Sequence, residues 1–527
     1  MSSEVSRPSL SDRVASAVFW NTALFPVKFA LKFLAALVVA WALTTDEYGR
    51  LQGSAGSVVA SLWVYAGLGI SATLLKFVPE IRERQGRSGV LAFLRAALGI
   101  RLLLLLLVAL LLNLFTAFFV DLFELDEIGP LLIRAASALI LLRAVTDTAQ
   151  RVLVAGFRQK TTNLLDIVSG LVQPTLMILF VAPWLPFDWG IPGAIYALLA
   201  GAAIDLLLAL YHALRELRSM PIAGLGEAQP VPRLWQRFGQ NALMNYVMDL
   251  SINITSPDFI ALLLLAFARH DDLAYLEFGW NQVMVLLTYL VIPLSGIYVP
   301  MFSEIYTKGD KHKLQAAYAT LTRALLLLTV PAGIIFIALA PAYFTLLRLA
   351  EKFEASIAVA QVLTLFLFAE SIVVVPHVIL MVYERYRVVL FSRLVALAAV
   401  PLLIAIARDG DPLLIALVVG GARFVSRAML TPYLSWRWRL RFPWAFCMRV
   451  VVPSLAAALI VQPVSWLLPV AIDQPVWQNL FAAGLQGLVA AGIFLAGFKA
   501  LGGLDDEDRS RLATMRLPLR RLIVKYL

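Results

Sequence analysis

The segment "FPVKFALKFLAAL", residues 25–37, sets Lys28 and Lys32 in an otherwise apolar run. Successive helical residues turn by about 100°, so lysines four apart share one face. Two ammonium groups side by side can attract a phosphate without demanding fixed geometry. Lys28 lies about 13 residues into the expected helix, roughly 20 Å at 1.5 Å per residue, too deep for its stem to reach the interface easily. A lysine at mid-bilayer costs about 2.5–3.5 kcal/mol on insertion scales, so the pair calls for a hydrated cavity or an anionic ligand.

Other charged residues in apolar surroundings are candidates for coupled chemistry. Asp249 and Asp258 stand in "NALMNYVMDLSINITSPDFIALLLL" and are candidates for binding a coupling ion or pairing with a lysine. They are nine residues apart, half a turn on a regular helix, so only a break at Pro257 would aim both at one space. Glu370, His377 and Glu384 recur every seven residues, nearly one stripe. Glu370 and His377 are candidates for a proton relay or for a buried hydrogen-bonded pair that serves packing. Arg423 and Arg427 share a face: Arg423 is a third candidate cavity cation, and Arg427 is expected at the inner interface. Arg143, Asp147 and Arg151 step by four and read as an ion-pair ladder. Cys447 is the single cysteine, which excludes an internal disulfide and a cysteine-built metal cage. The chain has no GxxxxGK[ST], HExxH, CxxC or GxSxG motif, so neither ATP hydrolysis, metal, cofactor nor catalysis is expected of it.

The elements that position these residues must be membrane helices. A chain of 527 residues that is 61% hydrophobic and 15% charged, with mean hydropathy +0.83, lies far from the soluble range. Apolar runs long enough to cross a bilayer recur from near residue 15 to near residue 502. They predict 14 helices: 15–43, 49–79, 91–119, 129–155, 161–184, 191–216, 233–268, 273–305, 314–342, 355–383, 386–407, 412–434, 445–470 and 477–502. Most of the 44 Lys and Arg residues fall at the N-terminus, in alternate loops and in the C-terminal tail. Arg50, Arg269, Arg348, Lys352 and Arg408 stand in the opposite loops. This asymmetry puts both termini in the cytoplasm. The net charge of +10 therefore needs no nucleic acid to explain it. The polar N-terminus, with no small-residue cleavage site after it, is not expected to act as a cleavable signal peptide, and the first apolar segment is expected to remain as helix 1.

The unit "EYGRLQGSAGS…LLKFVPEI" is echoed by "LAYLEFGWNQV…YVPMFSEI", with Tyr48, Glu80 and Arg95 answered by Tyr275, Glu304 and Arg323. An even number of helices per copy preserves orientation, so the copies read as parallel repeats. The expected organisation is an N-lobe of helices 1 to 6 (1–220), a cytoplasmic Pro- and Gly-rich linker (221–232), a C-lobe of helices 7 to 12 (233–440), helices 13 and 14 (441–503), and a basic amphipathic tail (504–527) suited to anionic lipids. Gly49, Gly53 and Gly56 near one face of helix 2 suit close helix packing.

Residues 19–80, with the early Asn21, the turn "LTTDEYG" and a Gly- and Ser-rich helix ending in "GLGISATLLKFVPE", resemble the start of the polysaccharide and oligosaccharide flippases (Wzx-like). By length and helix count the chain is similar to the multidrug, oligosaccharidyl-lipid and polysaccharide exporter superfamily. The resemblance implies an all-α polytopic fold of two six-helix lobes around a central cavity, plus two C-terminal helices. It also implies a function: an alternating-access flippase in a bacterial or archaeal cytoplasmic membrane. The implied cargo is an undecaprenyl-pyrophosphate-linked oligosaccharide, moved from the inner to the outer leaflet for surface or exopolysaccharide synthesis alongside glycosyltransferases and a polysaccharide polymerase. Lys28, Lys32 and Arg423 would meet the cargo, and Asp249, Asp258, Glu370 and His377 would couple an ion. Rival readings are a lipid II flippase, a drug or cation antiporter of the same superfamily, and a membrane-embedded glycosyltransferase or polymerase. The short outer loops disfavour the last, and the lysines and two extra helices disfavour the antiporter.

Overall fold

A computed structural model describes residues 36–156, 158–181, 189–220, 233–308 and 311–505, together with isolated positions between 27 and 34. All regular structure among them is helical. Lys28, Lys32, the expected linker 221–232 and the tail beyond residue 505 lie outside the described residues. Among the described residues ten helices are long and apolar enough to cross a membrane, and one bent pair makes an eleventh. The protein is a multi-pass membrane protein with an all-α fold.

The chain divides into two compact units, 1–277 and 278–527. The first begins with α1 (Thr45–Leu51), a π-helical turn (Gln52–Val58), α2 (Val59–Gly67) and α3 (Ile70–Leu114). Thr44 and Glu47 cap α1 reciprocally, each side chain accepting from the other's backbone N–H. The expected loop between helices 2 and 3 is instead helical, because α3 continues through the charged run Glu80–Arg87 and bends at Gly86 (φ 63°, ψ −156°). The unit continues with α4 (Thr116–Leu122), α5 (Gly129–Ala155), α6 (Gln159–Val181), α7 (Gly190–Ser219), α8 (Leu234–Asn253), α9 (Pro257–Ala266) and the start of α10 (His270–Lys308). α5 packs between α3 and α7, and α6 packs on the far side of α7. At one end of α3, Phe77, Phe93 and Phe238 form an aromatic core, with Phe93 and Phe238 edge to face at 5.3 Å. Glu80 accepts from both outer nitrogens of Arg237 at 2.9 and 3.0 Å, which ties α3 to α8 beside that core.

The second unit comprises the rest of α10, α11 (Lys311–Leu346), α12 (Glu354–Ile372), α13 (Val374–Val382), α14 (Tyr386–Leu397), α15 (Val400–Asp409), α16 (Pro412–Ala428), α17 (Leu430–Trp438), α18 (Trp444–Leu467) and α19 (Val476–Ala500). Only Gly410 and Asp411 separate α15 from α16, and Asp411 caps α16 by accepting from the N–H of Leu413 at 2.7 Å. The helices expected as 13 and 14, α18 and α19, pack on each other and on α11 through Phe446, Val450, Phe494 and Phe498. Many exposed Leu, Ile and Phe side chains, such as Leu103, Leu110 and Phe118 on α3 and α4, are what a lipid-facing surface requires.

Candidate functional site

Several cavities of the first unit are lined by charged side chains. One, of about 360 Å³, is lined by Trp63, Ser71, Arg101, Arg151, Asp249 and Asp258. The bent pair α8 and α9 makes it possible. α8 ends at Asn253, α9 starts at Pro257 with Ser256 before it, and the axes turn by 59°. A proline lacks the N–H that would continue the helix and fits its first position. The break therefore brings Asp249 and Asp258 to the same cavity, which a straight helix could not do.

Opposite them, the turn between α2 and α3 runs through Leu68 and Gly69, both left-handed (φ 48° and 63°). Gly69 has to be glycine on a second ground as well: a Cβ there would stand 2.3 Å from the Ala242 carbonyl oxygen and 2.5 Å from the Tyr246 nitrogen of α8. Arg101 is fully buried (0% exposed) yet lines this cavity. Its Nη1 donates to Asp147 Oδ2 at 2.8 Å, and its guanidinium lies 3.9 Å from the Trp63 ring centre. Asp147 also accepts from Arg151 at 3.1 Å and from the Ser71 hydroxyl at 2.5 Å. The expected ladder along α5 is thus only half made. Asp147 turns toward α3, and Arg143 faces elsewhere.

Arg143 faces the second cavity, of about 290 Å³, together with Thr146, Asp166, Ser169, Gln173 and Asp205 from α5, α6 and α7. Leu31, between the two lysines in sequence, lines it too. Arg143 is exposed, and among the described residues no carboxylate lies within ion-pair distance of it. A third polar feature is Glu277, 7% exposed, whose Oε1 accepts from Ser57 at 3.0 Å. Ser57 stands in the π-helical turn, an insertion that commonly marks functional sites.

In the second unit Glu370, 2% exposed, accepts from Arg423 Nε at 3.1 Å and Arg423 Nη2 at 3.3 Å. Arg427 Nε stands 2.8 Å from the same carboxylate. The structure brings Glu370 together with the two arginines rather than with His377, and Arg427 reaches this buried acid instead of the interface. Arg423 also lies under the Trp280 ring at 5.1 Å. Sequence reasoning missed Arg101, Glu277, Asp166, Asp205 and Arg393. A lone charged residue in an apolar run was the available signal for each.

A family model described as a polysaccharide biosynthesis protein matches residues 38–358. The chain belongs to the polysaccharide biosynthesis protein family. No curated protein matches it by sequence. Solved structures show this family member's fold. A lipid II flippase MurJ in an inward closed conformation is similar at a TM-score of 0.68 and 13% identity, over 91% of this chain and 98% of that one. An inward-facing multidrug resistance MATE family transporter of the MOP superfamily is similar at 0.60 and 13%, over 78% and 94%. A MOP superfamily transporter from Pyrococcus furiosus, described by a reverse polarity of its binding pocket, is similar at 0.57 and 14%, over 80% and 95%. At these identities the likeness shows the fold, that of the flippases and transporters so named.

Proposed function

We propose that the protein is an alternating-access flippase that moves an undecaprenyl-pyrophosphate-linked oligosaccharide from the inner to the outer leaflet of a prokaryotic cytoplasmic membrane. Membership of a polysaccharide biosynthesis family on a flippase and transporter fold supports this reading. The observation that carries it to an anionic cargo is Arg143. This guanidinium is exposed to a polar cavity that Asp166 and Asp205 also line, and no carboxylate stands within ion-pair distance of it among the described residues. A cation kept in such a place costs stability unless water and an anionic ligand receive it.

In this mechanism the sugar and pyrophosphate occupy the polar space and the polyprenyl tail stays in lipid. Lys28 and Lys32 on helix 1 add positive charge to the same task. The membrane potential contributes about 2.3 kcal/mol per charge per 100 mV, so a diphosphate with about two charges is driven outward by roughly 4–5 kcal/mol. Asp249 and Asp258, which share one cavity, are the groups we assign to coupling a cation.

The test is outward movement of labelled lipid-linked oligosaccharide in proteoliposomes, with Lys28→Gln plus Lys32→Gln in one variant and Arg143→Gln in another. Both variants should express and fold as the wild type does and flip at least about tenfold more slowly, the equivalent of 1.4 kcal/mol in the barrier. Normal flipping by both would remove the cationic groups from the mechanism.

A further inference from the structure

Around Arg393 the described residues of the second unit hold more buried positive charge than the one carboxylate near it balances. Arg393 on α14 is 3% exposed, and its Nε is buried without a hydrogen-bond partner. Among the described residues no acid lies within ion-pair distance of it. Arg393 sits in the electrostatic reach of Arg423, Arg427 and Glu370, because α14 and α12 both pack on α16. Glu370 already serves Arg423 and Arg427. His377, on α13, is near Arg393 and Arg427 and presents a buried Nδ1 with no partner.

Guanidinium groups do not lose their proton in proteins. Three of them around one carboxylate leave an uncompensated charge that repels itself in surroundings of low polarity, where water screens little. Lipid cannot relieve this, since Arg393 is enclosed by protein. An anion that enters between the helices would compensate it. Planar guanidinium forks match the spacing of oxygens on a tetrahedral oxyanion, and Arg is preferred over Lys where such recognition is bidentate.

We propose that the second unit binds a phosphate-type oxyanion at Arg393, beside the Glu370–Arg423–Arg427 cluster. The site is distinct from the cavities of the first unit and does not depend on the identity of the transported lipid. Two sources share the chemistry: a resident inorganic phosphate or pyrophosphate, and the diphosphate of a lipid headgroup.

The full-length protein in detergent is first freed of phosphate in gluconate buffer, and thermal unfolding is then followed while inorganic pyrophosphate is added. The wild-type midpoint should rise with pyrophosphate, since a ligand that binds only the folded state stabilises it by mass action. Arg393→Gln should melt at or above the wild-type temperature in the phosphate-free buffer, because it removes an unbalanced charge. It should also need at least about tenfold more pyrophosphate for the same rise. Arg393→Lys keeps the charge but loses the fork, so its pyrophosphate response should weaken without the gain in phosphate-free buffer. It serves as the reading if the Gln variant fails to fold. Arg408→Gln, on an exposed side chain, should behave as wild type.

The proposal is overturned if pyrophosphate leaves the wild-type midpoint unmoved, if Arg393→Gln keeps the full response, or if that variant folds but melts below the wild type in the phosphate-free buffer. Flipping kinetics then separate the two sources. A raised KM for lipid-linked substrate in Arg393→Gln assigns the site to the headgroup, and an unchanged KM with a lost pyrophosphate response assigns it to a resident inorganic anion. Because the binding readout uses no lipid, its failure leaves the flippase reading standing, and the reverse also holds.

Discussion

Replacing Asp147 by Asn tests whether the ion pair beneath the first cavity holds the first unit together. Arg101 is fully buried, and Asp147 is its only carboxylate partner among the described residues, at 2.8 Å. The amide keeps the size of the side chain and removes the charge, so Arg101 is left buried and uncompensated, apart from the Trp63 face at 3.9 Å. Removing one member of a buried pair costs about 3–5 kcal/mol, most of it the penalty on the partner left behind. With a unit of 277 residues, 1 kcal/mol moves the unfolding midpoint by about 2 °C, so the expected drop is roughly 6–10 °C. Arg151, whose side chain is 37% exposed, provides the contrast. Its pair with Asp147 lies along one helix near solvent, so Arg151→Gln should cost less than about 1 kcal/mol. The assay is thermal unfolding of both purified variants, followed by intrinsic fluorescence in one detergent. Arg101→Met combined with Asp147→Asn should recover most of the loss, since removing both charges also removes the desolvation penalty. A midpoint for Asp147→Asn within about 2 °C of wild type would refute the reasoning, because at this size that shift leaves no room for a stranded guanidinium.

Three more outcomes follow from the same geometry. In a Cys447→Ser background, Asp249→Cys and Asp258→Cys should both react with a membrane-impermeant maleimide, and Pro257→Ala should slow one of them by straightening the break; protection of either in the unaltered helix would deny them a shared hydrated cavity. Gly49→Ala should sharply reduce folded yield, because its Cβ would lie 2.0 Å from the His270 carbonyl oxygen, and a normal yield and melting profile would show that this approach is slack. Asp411→Ala removes the cap on Leu413 N–H and should lower stability by about 1 kcal/mol without changing transport, so a transport defect with an unchanged melting profile would contradict a purely structural cap.

Much of the fold could be read from local pattern. Apolar length and composition alone place the chain in the membrane, and Pro257 marked the one place where α8 and α9 had to part. The Gly-rich stretch around Gly49 and Gly53 announced close packing, and the structure seats Gly49 against His270 and Gly53 against Leu265 and Leu273. Other expectations failed for a local reason. The charged run around Gly86 looked like a loop, but charged residues outside the apolar core are compatible with helix, and one glycine sufficed to bend it.

By itself the sequence determined the helical membrane class, the family and the identity of the charged residues that must be reconciled with lipid. Only the tertiary structure decided which of them meet. Asp147 keeps Arg151 along α5 but takes Arg101, 46 residues away, where it could equally have served Arg143, and that depends on the rotation of α3 against α5. Glu370 took Arg423, 53 residues away, over His377 on its own stripe. Periodicity reports the face on which a residue lies, but partners are fixed by how neighbouring helices turn and approach. That depends on packing contributed by many residues at once, and no short stretch of sequence contains it.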